Sequence, residues 1–169
     1  DGMQDVISHE VLIFNQCREH LTITPKDYHY VYCFCYLPNI ISAFIIDRMD
    51  YMKESMKGTL LPLAFGLLEK LLHYAEIIEG YNPIEGMTSA SQGYHNRGFL
   101  YYKLRRWNEA ISDYQKALDS RRFIYEYMPH KENKRVIGET LVNIGAAQLE
   151  WCKENHTIEG HNPIDAAEE

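Results

Sequence analysis

The chain has 169 residues, of which 46% are hydrophobic and 24% are charged, and its formal net charge is −7 at pH 7. This composition is that of an ordinary globular chain, long enough to bury a real core as one domain or a short array. The acidic balance, with no compact basic stripe, argues against nucleic-acid binding.

Cysteine usage points to a reducing compartment. The four cysteines, Cys17, Cys33, Cys35 and Cys152, match neither a zinc-site spacing nor a disulfide framework. Cys33 and Cys35 lie in an aromatic segment, where cysteine is more often a small core residue than a metal ligand. We therefore expect a cytoplasmic, intracellular protein with no metal and no cofactor.

The first part of the chain predicts several helices separated by proline and turn residues. Apolar residues at spacings of three and four favour an amphipathic helix over Met3–His20. Thr24-Pro25 is typical of a helix start. Pro38 lacks an amide donor, so we expect a break at Leu37–Asn39 and a new helix over Ile40–Met56.

Residues 30–46 carry no charged side chain, which raises the question of a membrane span. The run is shorter than the roughly 20 residues that a span needs, and Pro38 lies in its middle. Asp27 and Asp47 flank it, where basic residues would be expected on one side. The sequence favours a buried helix pair and no membrane insertion.

The remaining elements follow from turn signals and apolar periodicity. Gly58-Thr59 predicts a boundary before a leucine-rich helix over Leu60–Glu79, whose wide apolar face indicates cover on more than one side. Residues 80–86 predict a loop in which Asn82 caps a helix and Pro83 takes its first turn. Further helices are expected near 88–104, 107–127 and 134–154, which makes about seven in all.

Residues 93–118 predict two helices folded against each other. Aromatic and apolar side chains recur at helical spacing, and small residues stand where the helices would touch. Gly98 would cost about 1 kcal/mol in an ordinary helix interior, so we expect it to give room to a partner helix. Ala110 and Ala117 lie on one side of the second helix.

This hairpin resembles a tetratricopeptide (TPR) repeat over residues 91–124. The family's usual proline at the end is replaced by Arg122. The matching positions are Tyr94, Gly98, Tyr101, Leu104, Trp107, Ala110, Tyr114 and Ala117. The resemblance implies an all-α fold in which antiparallel helix hairpins stack as a TPR-like α-solenoid fragment.

A second, partial repeat is expected over residues 134–169. Asn143-x-Gly145 echoes Asn96-x-Gly98, and Asn162-Pro163 echoes Asn82-Pro83. The two echoes have different periods, so the array is irregular and of the long-period type. We expect residues 1–169 to form a single TPR-like helical domain, as a fragment of a longer protein.

No catalytic motif is visible. The sequence lacks a glycine-rich phosphate loop, a nucleophile elbow and a His-Glu-x-x-His pair, and its histidines are scattered over separate elements. We therefore expect a protein that is not an enzyme.

The resemblance implies a peptide-binding surface, because the first helix of each TPR repeat lines the concave face. In the central repeat these positions are Gln92, His95, Phe99, Tyr102 and Lys103. In the next repeat they are Glu139, Val142, Ala146, Leu149 and Glu150, with Asn143 beside them. The alternative is that some of these side chains contact neighbouring helices instead.

A carboxylate clamp of the kind found in some TPR domains is not expected. Tyr94-His-Asn96-Arg97 resembles its second repeat, but the Lys and Arg required in its third repeat are Glu139 and Asn143 here. An acid at the first of these positions would repel an acidic ligand.

The predicted function is a non-catalytic interaction module, a scaffold or adaptor that binds a peptide or helix of another protein on its concave face. The alternative is a helical regulatory or substrate-recognition domain of a larger enzyme, and a catalytic helical domain is the third possibility. Longer sequence would separate the first two, since further repeats favour a scaffold and a catalytic motif favours the other.

Overall fold

The computed structural model describes residues 28–158, with side chains from Phe34 to Asn155. These residues form five α-helices and no strand, which confirms the all-α class. The helices are α1 Tyr28–Arg48, α2 Glu54–Glu79, α3 Pro83–Lys103, α4 Trp107–Tyr127 and α5 Lys131–Ile158. A 3-10 turn, Met49–Tyr51, follows α1.

The helices stack in chain order. Each helix packs against the ones before and after it, and α1 also contacts α3. Because the connections are short, consecutive helices are antiparallel and form hairpins. The result is a TPR-like α-solenoid in which each hairpin buries its apolar stripe against the next. None of the described helices is both long enough and apolar enough to cross a membrane.

Helix α2 lies between α1 and α3 and supplies much of the core. Its buried residues recur at three- and four-residue spacing over a wide face, because it is covered on two sides. They are Leu60, Ala64, Leu67, Leu68, Leu71, Ala75 and Ile78. The predicted cover on more than one side of this helix is confirmed.

The expected count of about seven helices is wrong for the described residues, which hold five. The predicted helix Met3–His20 and the Asn162-Pro163 echo lie outside them. The predicted break at Leu37–Asn39 does not occur, since α1 continues through Pro38. Residues 30–46, which were predicted to form a pair of helices, therefore lie in a single helix.

Tertiary burial explains why Pro38 does not end α1. Pro38 is fully buried. Beyond it, Ile41, Ile45 and Ile46 join the cluster formed with α2. Proline costs about 3 kcal/mol inside a helix, while each buried isoleucine contributes about 1.5–3 kcal/mol. Packing on α2 therefore outweighs the local preference.

The boundary predicted at Gly58-Thr59 is also wrong. Helix α1 ends at Arg48 and α2 starts at Glu54, with Lys53 in an extended conformation before it. Lys57 donates to Glu54 at 2.8 Å across the first turn of α2. Gly58 then lies inside α2, and no neighbouring atom lies within 4 Å of the position that a Cβ would take there. Packing therefore does not require a glycine at this position.

Helix α3 begins at Pro83 rather than near residue 88. The Asn82 side chain accepts a hydrogen bond from the Glu85 backbone N–H at 3.3 Å, and Pro83 takes the first turn. The predicted cap is therefore confirmed, while the loop is shorter than expected. Helix α5 likewise begins at Lys131, slightly before the predicted Lys134.

The close contact between α3 and α4 depends on Gly98. A Cβ at this position would lie 2.9 Å from Tyr114 Cδ1 and 3.2 Å from the Ala110 carbonyl oxygen. Both distances are shorter than ordinary side-chain packing allows, so only glycine fits without movement of α4. The expected role of Gly98 in helix contact is confirmed.

Candidate functional site

An open groove runs between α1 and α3, the two helices that meet across α2. Its volume is about 420 Å³. Its walls, which define the α1–α3 groove, come from Ala43, Phe44, Ile46 and Asp47 of α1 and from Asn96 and Phe99 of α3. The groove therefore combines an apolar floor with one carboxylate and one amide.

Three amide side chains join α1 to α3 beside the groove. Asn39 Nδ2 donates to Gln92 Oε1 at 3.3 Å, and Asn96 Nδ2 donates to Asn39 Oδ1 at 2.7 Å. Because Asn39 uses both its donor and its acceptor, its amide orientation is fixed. These bonds set the register of α1 against α3.

A charge pair lies one helical turn beyond Phe99 on α3. Lys103 Nζ donates to Asp50 Oδ2 and lies 5.5 Å from the centre of the Phe99 ring. Phe99 is half-buried and packs against both the α1–α2 cluster and the α4–α5 cluster. Lys103 therefore links the aromatic floor of the groove to the turn after α1.

His95 and Tyr102 turn away from the groove toward α4 and α5. His95 Nδ1 lies 3.3 Å from Arg121 Nη1, and the His95 ring is 5.6 Å from the Tyr114 ring. Tyr102 packs edge-on against Trp107 with ring centres 5.1 Å apart. The central set thus divides: Phe99 lines the α1–α3 groove, Gln92 and Lys103 bond Asn39 and Asp50 outside its lining, and His95 and Tyr102 contact α4.

Burial of His95 makes a pH dependence of stability testable. Burial, and secondly the positive charge of Arg121, lowers the pKa of His95 from 6.5 to about 4. A histidine whose pKa is lowered by folding makes its full contribution to stability above the unfolded pKa. It loses that contribution as the pH falls toward the folded pKa. Between about pH 6.5 and pH 4 we expect a loss of up to about 3 kcal/mol.

The measurement is urea unfolding across this pH range for the natural chain and for His95→Gln. Glutamine can still accept from Arg121 but does not titrate, so the difference between the two curves isolates His95. Parallel curves for the two proteins would contradict the assignment.

The predicted positions on α5 lie outside the α1–α3 groove. Glu139 pairs with Arg135, and Glu150 with Lys153. Val142 and Leu149 are 70% and 56% exposed. Asn143 and Ala146 are half-buried.

Sequence reasoning missed the contribution of α1 to this site. Ala43, Asp47 and Asp50 border the groove or its charge pair, yet the charge-free run suggested only a buried core. The available signal was the four-residue spacing of Asn39, Ala43 and Asp47, which places them on one face of a continuous helix. The expected break at Pro38 obscured that signal.

Comparison with known proteins gives one positive result. No curated protein and no solved structure matches the chain. The tetratricopeptide repeat family model matches residues 91–121, which span most of α3 after its first turns and α4 up to Arg121. The α3–α4 hairpin is therefore similar to a tetratricopeptide repeat, a unit that is typically a non-catalytic interaction module.

Proposed function

We propose that the chain is a protein–protein interaction module, a scaffold or adaptor in the cytoplasm, and that it holds a peptide or helical segment of another protein in the α1–α3 groove. The observation that carries this proposal is the groove itself, since it lies on the helices that would form the concave face of a TPR-like stack. The similarity of residues 91–121 to a tetratricopeptide repeat supports the same class of function.

The groove has the chemistry of a peptide site. Phe44 and Phe99 offer apolar contact area to an anchoring side chain, and aromatic residues lose little rotamer entropy on binding. Asn96 and Asp47 offer polar groups beside them, which can fix the orientation of a bound backbone. Ile40, 45% exposed on α1, extends the apolar surface.

The first test fills the groove. Peptides selected on the natural chain from a random display library provide the probes, and fluorescence anisotropy gives their affinities. We expect Ala43→Phe to weaken binding by about 2 kcal/mol or more, because the added ring occupies the anchor space. Ser112→Phe adds a similar ring on the exposed surface of α4 and serves as the matched control.

Phe99→Ala removes the apolar contact instead of blocking it, and should weaken peptide binding by about 1–3 kcal/mol. Because Phe99 is also part of two core clusters, circular dichroism and a thermal melt must accompany it. Selected peptides that bind equally well to Ala43→Phe and to the natural chain would rule out the groove as the binding site.

A further inference from the structure

Arg121 on α4 is a buried cation between three helices. It is 9% exposed. Its Nη1 atom donates to the Val136 carbonyl oxygen at 3.0 Å and to Thr140 Oγ1, and lies 3.3 Å from His95 Nδ1. One edge of the guanidinium is therefore held by α5 and α3.

The other edge of the same guanidinium lacks a partner among the described side chains, Phe34 to Asn155. No carboxylate there lies within ion-pair distance of Arg121, and no acceptor there bonds its Nε or Nη2. No fully enclosed side-chain nitrogen or oxygen in that range is without a hydrogen bond. The Nε and Nη2 atoms of Arg121 must therefore remain accessible.

Arg121 lines a pocket with a volume of about 260 Å³ between α3, α4 and α5. We call it the Arg121 pocket. Its other lining residues include Ser91, Gln92, Ile124, Glu132 and Asn133. A buried arginine with a free edge thus faces a small space that holds further polar groups.

The charges around the pocket leave Arg121 uncompensated. Glu132 is the acid in the wall, but its two carboxylate oxygens accept from Arg135 Nε and Nη2, and Arg135 also pairs with Glu139. Burial, and secondly the positive charge of Arg135, lowers the pKa of Arg121 to about 10. Arg121 is still charged at neutral pH, and a buried charge without a counter-ion is costly.

We propose that the Arg121 pocket binds a carboxylate of the partner segment, with the free Nε and Nη2 edge of Arg121 as the bidentate donor. Planar carboxylates match two parallel N–H donors of arginine and form the strongest common hydrogen bonds of this type. The aliphatic wall at Ile124 suits the stem of an acidic side chain or the end of a peptide chain.

Gln92 lines the pocket and also accepts from Asn39 of α1, which lies one helical turn before Ala43 of the groove. A bound segment that crosses these amide side chains would reach the pocket from the groove. The inference rests on the proposed function, because it names the chemistry of the segment bound. The carboxylate of the bound segment would contact Arg121 of α4, not the clamp positions Glu139 and Asn143 of α5.

A monoanion fits the pocket better than a phosphate dianion. The pocket offers one uncompensated cation, and Glu132 stands in its wall. A second negative charge would face that carboxylate without a further cation.

Titration of three short peptides at constant ionic strength tests the proposal. Acetyl-Ala-Glu-Ala-amide carries a side-chain carboxylate, acetyl-Ala-Gln-Ala with a free C-terminus carries a main-chain carboxylate, and its amide is neutral. The readout is the Arg121 Nε–Hε resonance in a ¹H–¹⁵N spectrum, with inorganic phosphate as a fourth probe. We expect a saturable shift with one or both carboxylates and none with the neutral peptide.

The two carboxylate arms distinguish an acidic side chain from a chain end. Absence of a shift with both carboxylates, or an equal shift with the neutral peptide, overturns the proposal. Stronger binding of phosphate than of either carboxylate also overturns it.

Variants separate binding from folding. Arg121→Gln should weaken carboxylate binding at least about tenfold, but it also removes contacts to α5. Glu132→Gln avoids this problem, since Glu132 is exposed and bonded to Arg135. It should strengthen binding by about threefold through loss of a like charge. Glu150→Gln, near the other end of α5, is the matched control and should leave affinity unchanged.

The two proposals fail in different ways. If groove peptides bind but Glu132→Gln has no effect on carboxylate affinity, the pocket assignment is wrong and the proposed function stands. If the carboxylate peptides shift Arg121 but no selected peptide responds to Ala43→Phe, the groove is wrong while the pocket remains.

Discussion

Replacing Gly98 by leucine should lower the free energy of unfolding by about 3 kcal/mol or more. Already the first atom of the new side chain would lie 2.9 Å from the Tyr114 ring and 3.2 Å from the Ala110 carbonyl oxygen. Tyr114 is 1% exposed, so its ring can shift enough for a methyl group but not for a leucine side chain. Helices α3 and α4 would have to separate, and the melting temperature measures the cost.

Gly58→Leu provides the matched control. Gly58 lies inside α2, is exposed, and has no atom within 4 Å of an added Cβ. Leucine there should stabilise by up to about 1 kcal/mol through helix propensity alone. Gly98→Ala should be intermediate, because the Tyr114 ring can shift slightly while alanine favours the helix. Equal melting temperatures for the two leucine variants would contradict the close α3–α4 contact.

Asp113→Asn should be the second large effect, with a loss of about 3 kcal/mol in stability. Asp113 accepts from Arg97 Nε at 2.6 Å and from Arg97 Nη2 at 2.9 Å, and its side chain is 4% exposed. Asparagine keeps the shape but removes the charge, which leaves the mostly buried guanidinium uncompensated. Chemical denaturation of the variant measures the loss.

Two further variants test whether the loss of stability comes from the unpaired charge of Arg97. Asp119→Asn changes an exposed aspartate on the same helix and should alter stability by less than about 0.5 kcal/mol. Arg97→Met combined with Asp113→Leu removes both charges and should recover most of the stability. A double variant as unstable as Asp113→Asn would mean that shape rather than charge governs this site.

The α3–α4 hairpin could be predicted from sequence because its local signals agree with its packing. Small residues at Gly98 and Ala110 mark the contact, and Asn82-Pro83 marks the start of α3. Each signal acts within a few residues along the chain, so it is visible without knowledge of the fold.

Errors occurred where tertiary burial overrides local preference. Pro38 and Gly58 are both typical of helix ends, yet both lie inside helices. After Pro38, Ile41, Ile45 and Ile46 pack on Leu60, Ala64, Leu67 and Leu68 of α2, and that gain exceeds the local cost at Pro38. Gly58 is itself exposed, and the buried face of α2 begins at Leu60 after it. Sequence alone does not show which long-range contacts a helix will make.

The candidate site could be predicted only in part for the same reason. The repeat pattern names positions on α3, but it does not say which neighbour each side chain meets. Phe99 and Lys103 border α1, whereas His95 and Tyr102 face α4 and α5. The pairing of Arg121 with an accessible pocket depends on three helices and has no local signature.

The account depends most on binding in the α1–α3 groove, and an NMR titration tests this directly. A ¹⁵N-labelled chain is titrated with a selected peptide, and the backbone amide shifts are mapped onto the helices. We predict that the largest shifts fall within residues 39–47 of α1 and 92–103 of α3. Shifts confined to the outer surface of α4, with both of these segments unchanged, would contradict the proposed site.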